Sequence, residues 1–155
     1  MRFQRNISGA VIRVYLLLAS FPYLAAIAYI DIKTLRIPDR LLVPLFCVML
    51  IVRGLEDPAG IFYLGLSGAL TFLVYYAVYR LSAYGLGFGD VKFAGVLGFG
   101  LGGYGSWLTS FGACVAGIIF YICFLRKEGG DRLRFPFGPF LSFGAVIAMC
   151  VEIAF

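Results

Sequence analysis

The chain has 155 residues, enough for one domain, and is 62% hydrophobic and only 14% charged, with a mean hydropathy of +0.96. Soluble proteins average about 45–50% apolar and about 25% charged residues, and a domain this small has too little interior to hide the excess, so a water-soluble fold is excluded. The net charge of +5 does not mark a nucleic-acid partner, because the basic residues occupy short gaps between apolar runs, where they set membrane topology.

The apolar runs are continuous and do not alternate, which predicts helices and argues against a membrane barrel, since a backbone in lipid must satisfy its own hydrogen bonds. Six runs follow in chain order, giving an all-α polytopic membrane protein with residues 1–155 as one membrane-embedded domain. The first covers residues 11–30 and carries no small-residue cleavage pattern after it, so it is not read as a signal peptide. The second, residues 38–52, is short, about 22 Å at 1.5 Å per residue. The third covers residues 60–79. The fourth starts at residue 90 or 91, reaches only to about 103, and is also short. The fifth and sixth cover residues 106–125 and 136–155. The four long runs each match the ~20 residues needed to cross a bilayer.

Three connections, at residues 31–40, 80–90 and 126–134, alternate along the chain and so share one side of the membrane. With the residues beside them they hold Lys33, Arg36, Arg40, Arg80, Lys92, Arg126, Lys127, Arg132 and Arg134. Positive charge collects on the cytoplasmic side, which places these loops inside and both termini outside. Arg2, Arg5 and Arg13 pull weakly the other way. Glycines crowd residues 85–105, and spacings such as Gly98–Gly102 and Ala113–Gly117 suit close helix contact in lipid. The cysteines Cys47, Cys114, Cys123 and Cys150 all lie in apolar runs and form no C-x-x-C pair, so they read as small hydrophobes.

Histidine is absent. That removes Ser–His and Cys–His catalysis, imidazole metal ligation and a histidine pH switch, leaving acid–base chemistry to carboxylates, Lys or Tyr. Of eight acidic residues, Glu56, Asp57, Glu128 and Asp131 fall in loops and are expected to be solvated, and Glu152 to be interfacial. Asp31, Asp39 and Asp90 remain. Asp31 closes the first run and Asp90 opens the fourth, so both meet the same membrane face. Each lies beside a short helix, and a short span implies a recess that admits water to carboxylates at membrane depth. Two facing carboxylates share one proton, and such a pair can activate water with one member and protonate a departing amide with the other. Plainer roles stand beside this: Asp90 as a helix N-cap, Asp31 as a boundary charge, and Asp39, after Pro38, as a first-turn carboxylate facing the helix dipole. Lys33, Arg36 and Lys92 read as topology anchors, with Lys92 also able to steady a carboxylate.

Asp31-Ile32-Lys33-Thr34-Leu35-Arg36-Ile37-Pro38-Asp39 resembles the D-x(5)-I-P-[ND] segment of the type IV prepilin peptidases. Gly87-Phe88-Gly89-Asp90-Val91-Lys92 resembles their G-x-G-D-x-K motif, and Pro136-Phe137-Gly138-Pro139-Phe140-Leu141 the P-F-G-P-F-L that opens their last helix. The resemblance implies an aspartic endopeptidase of the cell inner membrane, with Asp31 and Asp90 as the catalytic pair at the cytoplasmic face. Gly87, Gly89, Lys92, Pro38, Asp39, Pro136, Gly138 and Pro139 would support the motifs. The implied substrate is a prepilin-like precursor cut between a short basic leader and its apolar helix. No metal or other cofactor is implied, and a homo-oligomer is left open. Full-length bifunctional members carry an N-terminal region with paired C-x-x-C motifs and also methylate the new N-terminus. The expectation here is instead the short, peptidase-only form found with Tad-type pili and in archaeal preflagellin processing, without a methyltransferase or zinc region and without an S-adenosylmethionine site. The basic loops are expected to meet anionic lipid. Three rivals share some of the same residues: a proton- or cation-coupled transporter, a structural assembly factor, and a G-x-G-D peptidase that cuts within helices.

Overall fold

The computed structural model describes residues 2–81, 86–120 and 136–154. Among them every regular element is helical: α1 (Arg2–Thr34), α2 (Asp39–Glu56), a 3-10 turn (Pro58–Gly60), α3 (Ile61–Leu81), α4 (Phe88–Phe120) and α5 (Gly138–Ala154). Five helices thus stand where six runs were expected. The expected basic loop at residues 126–134, with Glu128, Asp131 and Cys123, lies outside the described residues, as does most of the Gly85 turn.

The difference in count comes from α4, in which the fourth and fifth runs are one element broken at Gly102, where φ 68 and ψ −174 leave helical geometry. That backbone region is essentially reserved for glycine, because a Cβ would clash. Gly102 is therefore the break itself, whereas the spacing Gly98–Gly102 predicted a helix contact. Gly98 does make that contact: a Cβ there would stand 2.7 Å from Thr71 Cβ, and one at Gly68 would stand 3.0 Å from the Gly95 carbonyl. Small residues let α3 and α4 approach closely, which in lipid replaces the missing hydrophobic drive between helices. Thr71 Oγ1 also faces Ser106 Oγ at 3.4 Å across this contact.

Two further boundaries differ from expectation. The first helix does not stop at residue 30 but continues through Thr34, ending where Leu35 turns into the left-handed region at φ 52 and donates its N–H to the Asp31 carbonyl at 2.8 Å. The second helix is not short: its 18 residues run about 27 Å. Only the first segment of α4, residues 88–101, keeps the brevity from which a recess was argued.

Val11–Thr34 and Pro58–Leu81 are each long and apolar enough to cross a membrane, and α5 is a shorter apolar helix. Large apolar side chains face outward along them, among them Tyr15, Leu18 and Phe21 on α1, Phe62, Leu66 and Leu73 on α3, and Trp107 and Phe111 on α4. With lipid as solvent these are the solvated faces. The packed interior, with Leu24, Ile27, Leu45, Met49, Phe93, Leu97, Leu141 and Ala145 all buried, lies where α4 meets α2 and α5 and α1 meets α2 and α5. Among the described residues α1 and α4 make no backbone contact with each other; α2 and α5 hold them apart.

Candidate active site

At the end of the bundle where α1 finishes and α4 starts, a cavity of about 340 Å³ is lined by Asp31, Leu35, Arg36, Ile37, Asp39, Gly87, Phe88, Gly89, Asp90 and Lys92. Two of the three motifs singled out in the sequence thus line a single space, although they sit on helices whose backbones do not meet. The third supports it from behind. Asp31 is 4% exposed, and its Oδ2 accepts the N–H of Gly138 at 2.9 Å. That amide opens α5 and would have no partner within its own helix. A Cβ on Gly138 would stand 2.8 Å from Asp31 Oδ2, so this glycine is needed for space rather than for an unusual backbone. Pro139 follows as the second residue of α5, where its missing N–H costs nothing. Pro136 lies on the approach to the helix, and neither proline lines the cavity.

Asp90 is 7% exposed and sits in the first turn of α4, which begins at Phe88. It is therefore inside the helix and not its N-cap. Its own N–H donates to the Gly87 carbonyl at 3.1 Å, while its side chain folds back over the same residue: a Cβ on Gly87 would stand 2.9 Å from Asp90 Oδ2. Among the described residues no group donates to Asp90 Oδ1, although it is buried. Buried carboxylate oxygens are normally satisfied, and this one belongs to a residue that lines the cavity. The Asp31 and Asp90 carboxylates are close enough to interact electrostatically.

Gly89 joins the first two motifs. A Cβ there would stand 3.0 Å from Ile37 Cβ and 3.4 Å from Ile37 N, so only glycine lets the start of α4 lie against the segment that links α1 to α2. Ile37 is buried in that contact. Pro38 follows in extended geometry as the residue that caps α2, and its carbonyl accepts the N–H of Leu41 at 3.0 Å. Asp39 occupies the first turn of α2, as its position after the proline predicted, and binds Lys92 Nζ through both oxygens at 2.9 and 2.8 Å. The carboxylate that Lys92 steadies is thus Asp39, at the rim. Lys33 turns away from the cavity and hydrogen-bonds Tyr29, whose ring it also overlies at 4.4 Å.

The opposite end of the bundle holds a second charged group that sequence reasoning misassigned. Glu56 was expected to be solvated, Glu152 interfacial, and Arg13 and Arg53 to be topology charges. They form one network instead. Arg53 is buried and donates to Glu56 Oε2 at 2.7 Å, to Glu152 Oε2 at 2.8 Å and to the Gly100 carbonyl at 2.6 Å. Arg13 reaches Glu56 Oε1 at 3.2 Å and the Glu152 carbonyl at 2.6 Å. A signal was present in the sequence for Glu152: it falls inside the last apolar run, and a charge inside a membrane segment needs a partner.

An all-helical, apolar chain with a carboxylate pair in a cavity at one end defines a class, and comparison with known proteins specifies it. The model of the type IV leader peptidase family matches residues 16–122. The chain is 30% identical over 127 residues to a prepilin leader peptidase/N-methyltransferase of Bacillus subtilis, covering 81% of this chain and 51% of that protein. It is 29% identical over 143 residues to the protein of that name from Stutzerimonas stutzeri, covering 81% and 46%. With the Aeromonas salmonicida protein it shares 30% over 132 residues, covering 81% and 45%. The chain therefore spans about half the length of the curated relatives it matches. No solved structure matches it significantly. The chain belongs to the type IV leader peptidase family.

Proposed function

We propose that this protein is a membrane aspartic endopeptidase that removes the short basic leader from prepilin-like precursors, with Asp31 and Asp90 as the catalytic pair. The observation that carries the proposal is the convergence of these two carboxylates on one cavity from helices whose backbones do not meet. One carboxylate takes a proton from water as the water oxygen attacks the scissile carbonyl carbon. The other, protonated, donates to the carbonyl oxygen. When the tetrahedral species collapses, the C–N bond breaks, the leaving nitrogen takes a proton from the pair, and a hydroxyl of that species returns its own proton to the pair as the new carboxyl group forms. One water is consumed, a carboxyl group and an amine are released, and the pair returns to its starting protonation. This is hydrolytic chemistry, and it supports the peptidase half of the relatives' double name.

Charge placement supports a cavity that opens to the cytoplasmic face of the inner membrane in a multi-pass arrangement. Lys33, Arg36, Arg40 and Lys92 surround the cavity end.

The test is a cleavage blot in which a tagged prepilin is co-expressed with the parent protein, Asp31→Asn or Asp90→Asn. Loss of the leader with the parent and with neither variant is the expected result. Cleavage that survives both substitutions would dismiss the aspartic mechanism. A chain that cuts no precursor but moves protons or cations across liposomes in an Asp31- or Asp90-dependent way would be a transporter instead.

A further inference from the structure

We infer that Arg53, at the end of the bundle away from the cavity, is a positioning residue that sets the spacing between Asp31 and Asp90. The two aspartates belong to α1 and α4, which do not pack on each other, so their separation is decided by the helices between them, α2 and α5. Arg53 is where those helices are tied together. Its Nε holds the Gly100 carbonyl of α4, one Nη holds Glu152 of α5 and the other holds Glu56 of α2 itself. Arg13 then brings in α1 by binding Glu56 and the Glu152 main chain. All four helices meet at this one guanidinium and its two carboxylates.

The hold on α4 falls at a place with mechanical consequence. The break at Gly102 takes the chain out of helical geometry just beyond Gly100, so the Gly100 carbonyl is among those that a helix end leaves without an amide. Arg53 supplies the donor, and a cation there also suits the negative end of the segment's dipole. Residues 88–101 form the segment that starts beside Asp90, about 15 Å from Gly100 along the axis. A helical rod this short does not bend to absorb a shift, so movement at Gly100 is passed to Asp90. The planar fork of arginine is suited to holding three acceptors in fixed directions, which a lysine cannot do.

The test reads the spacing directly. Asp31→Cys and Asp90→Cys are combined in a background whose native cysteines are alanine, and cross-linked in membranes with a short bifunctional methanethiosulfonate. The same is done with Thr71→Cys and Ser106→Cys, which report the α3–α4 contact that does not pass through Arg53. Adding Arg53→Gln should lower the 31–90 yield about tenfold and leave the 71–106 yield unchanged. Arg53→Lys keeps the charge, and so the fold, but loses the fork; it should lower the 31–90 yield as well. In the otherwise native chain Arg53→Lys should lower kcat while KM stays near the parent value. A 31–90 yield within about twofold of the parent in either folded variant overturns the inference, as does a parallel fall in both pairs. Asp31 and Asp90 enter as the working pair proposed above, but the cross-link needs no cleavage, so a chain that cut nothing would sink the peptidase reading and leave this one still open to its own test.

Discussion

The two ends of this bundle use the same chemical groups in opposite ways. At one end, Glu56 and Glu152 each meet an arginine, and every member of the network has at least one partner on another helix. At the other, among the described residues, Asp31 takes a single backbone N–H, Asp90 leaves a buried oxygen with no protein donor, and the ion pair is the exposed Lys92–Asp39 bridge at the rim. A carboxylate held by an arginine is a structural part. One that is buried, under-satisfied and set beside another carboxylate keeps the capacity to move a proton. The molecule keeps its paired charges and its under-satisfied carboxylates at opposite ends of the bundle.

The largest expected effect separates the ends by activity. Asp31→Asn or Asp90→Asn should reduce leader cleavage by about 10²–10⁴-fold, the usual worth of a positioned acid or base, while shifting unfolding in detergent by less than about 1 kcal/mol. If Asp90→Asn proves as destabilising as a change at the far end, the distinction drawn above collapses. The mirror experiment is Glu152→Ala, which leaves Arg53 short of a partner. Breaking a buried pair costs about 3–5 kcal/mol, and the lower end is expected because Glu152 keeps some exposure. Denaturant unfolding followed by circular dichroism measures it.

Smaller effects should come from the glycines that make room at the cavity. Gly87→Ala and Gly138→Ala would push a methyl group against Asp90 and Asp31, at 2.9 and 2.8 Å from their carboxylate oxygens. A displacement near 1 Å in a catalytic group costs about 10- to 100-fold, and the loss should appear in kcat. Normal cleavage by both variants would mean that the carboxylates tolerate a different placement. Smallest of all should be the rim pair. A double-mutant cycle on Lys92→Ala and Asp39→Ala should give a coupling below about 1 kcal/mol, as for other exposed bridges. A larger value would move Lys92 from the rim into the working site.

Much of the site was legible in the sequence because it depends on local and compositional rules. With lipid as solvent, apolar runs must be helices, so Asp31 and Asp90 could be placed at run ends on one face without any coordinates. Gly87 and Gly89 stood out through the motif they share with Asp90, and Pro38 announced the helix that Asp39 opens. The partners could not be read. Nothing local says that Gly138 donates to Asp31, that Gly89 rests on Ile37, or that Lys92 turns to Asp39, since each contact joins segments far apart in the chain. The end of the fourth run near residue 103 was legible, beside the observed break, but Gly102 itself was assigned to a contact: small residues at helical spacing serve equally as a contact face or as a hinge, and packing decides which.

The sequence alone determined the membrane environment, the helical class, the two carboxylates and the end of the bundle at which they lie. These follow from solvent and periodicity, which act on each segment by itself. Only the tertiary structure decided that α1 and α4 meet at one cavity without backbone contact, and that four charges at the far end form one network. Those outcomes depend on which helices lie side by side, and a buried charge takes the partner that packing brings within reach.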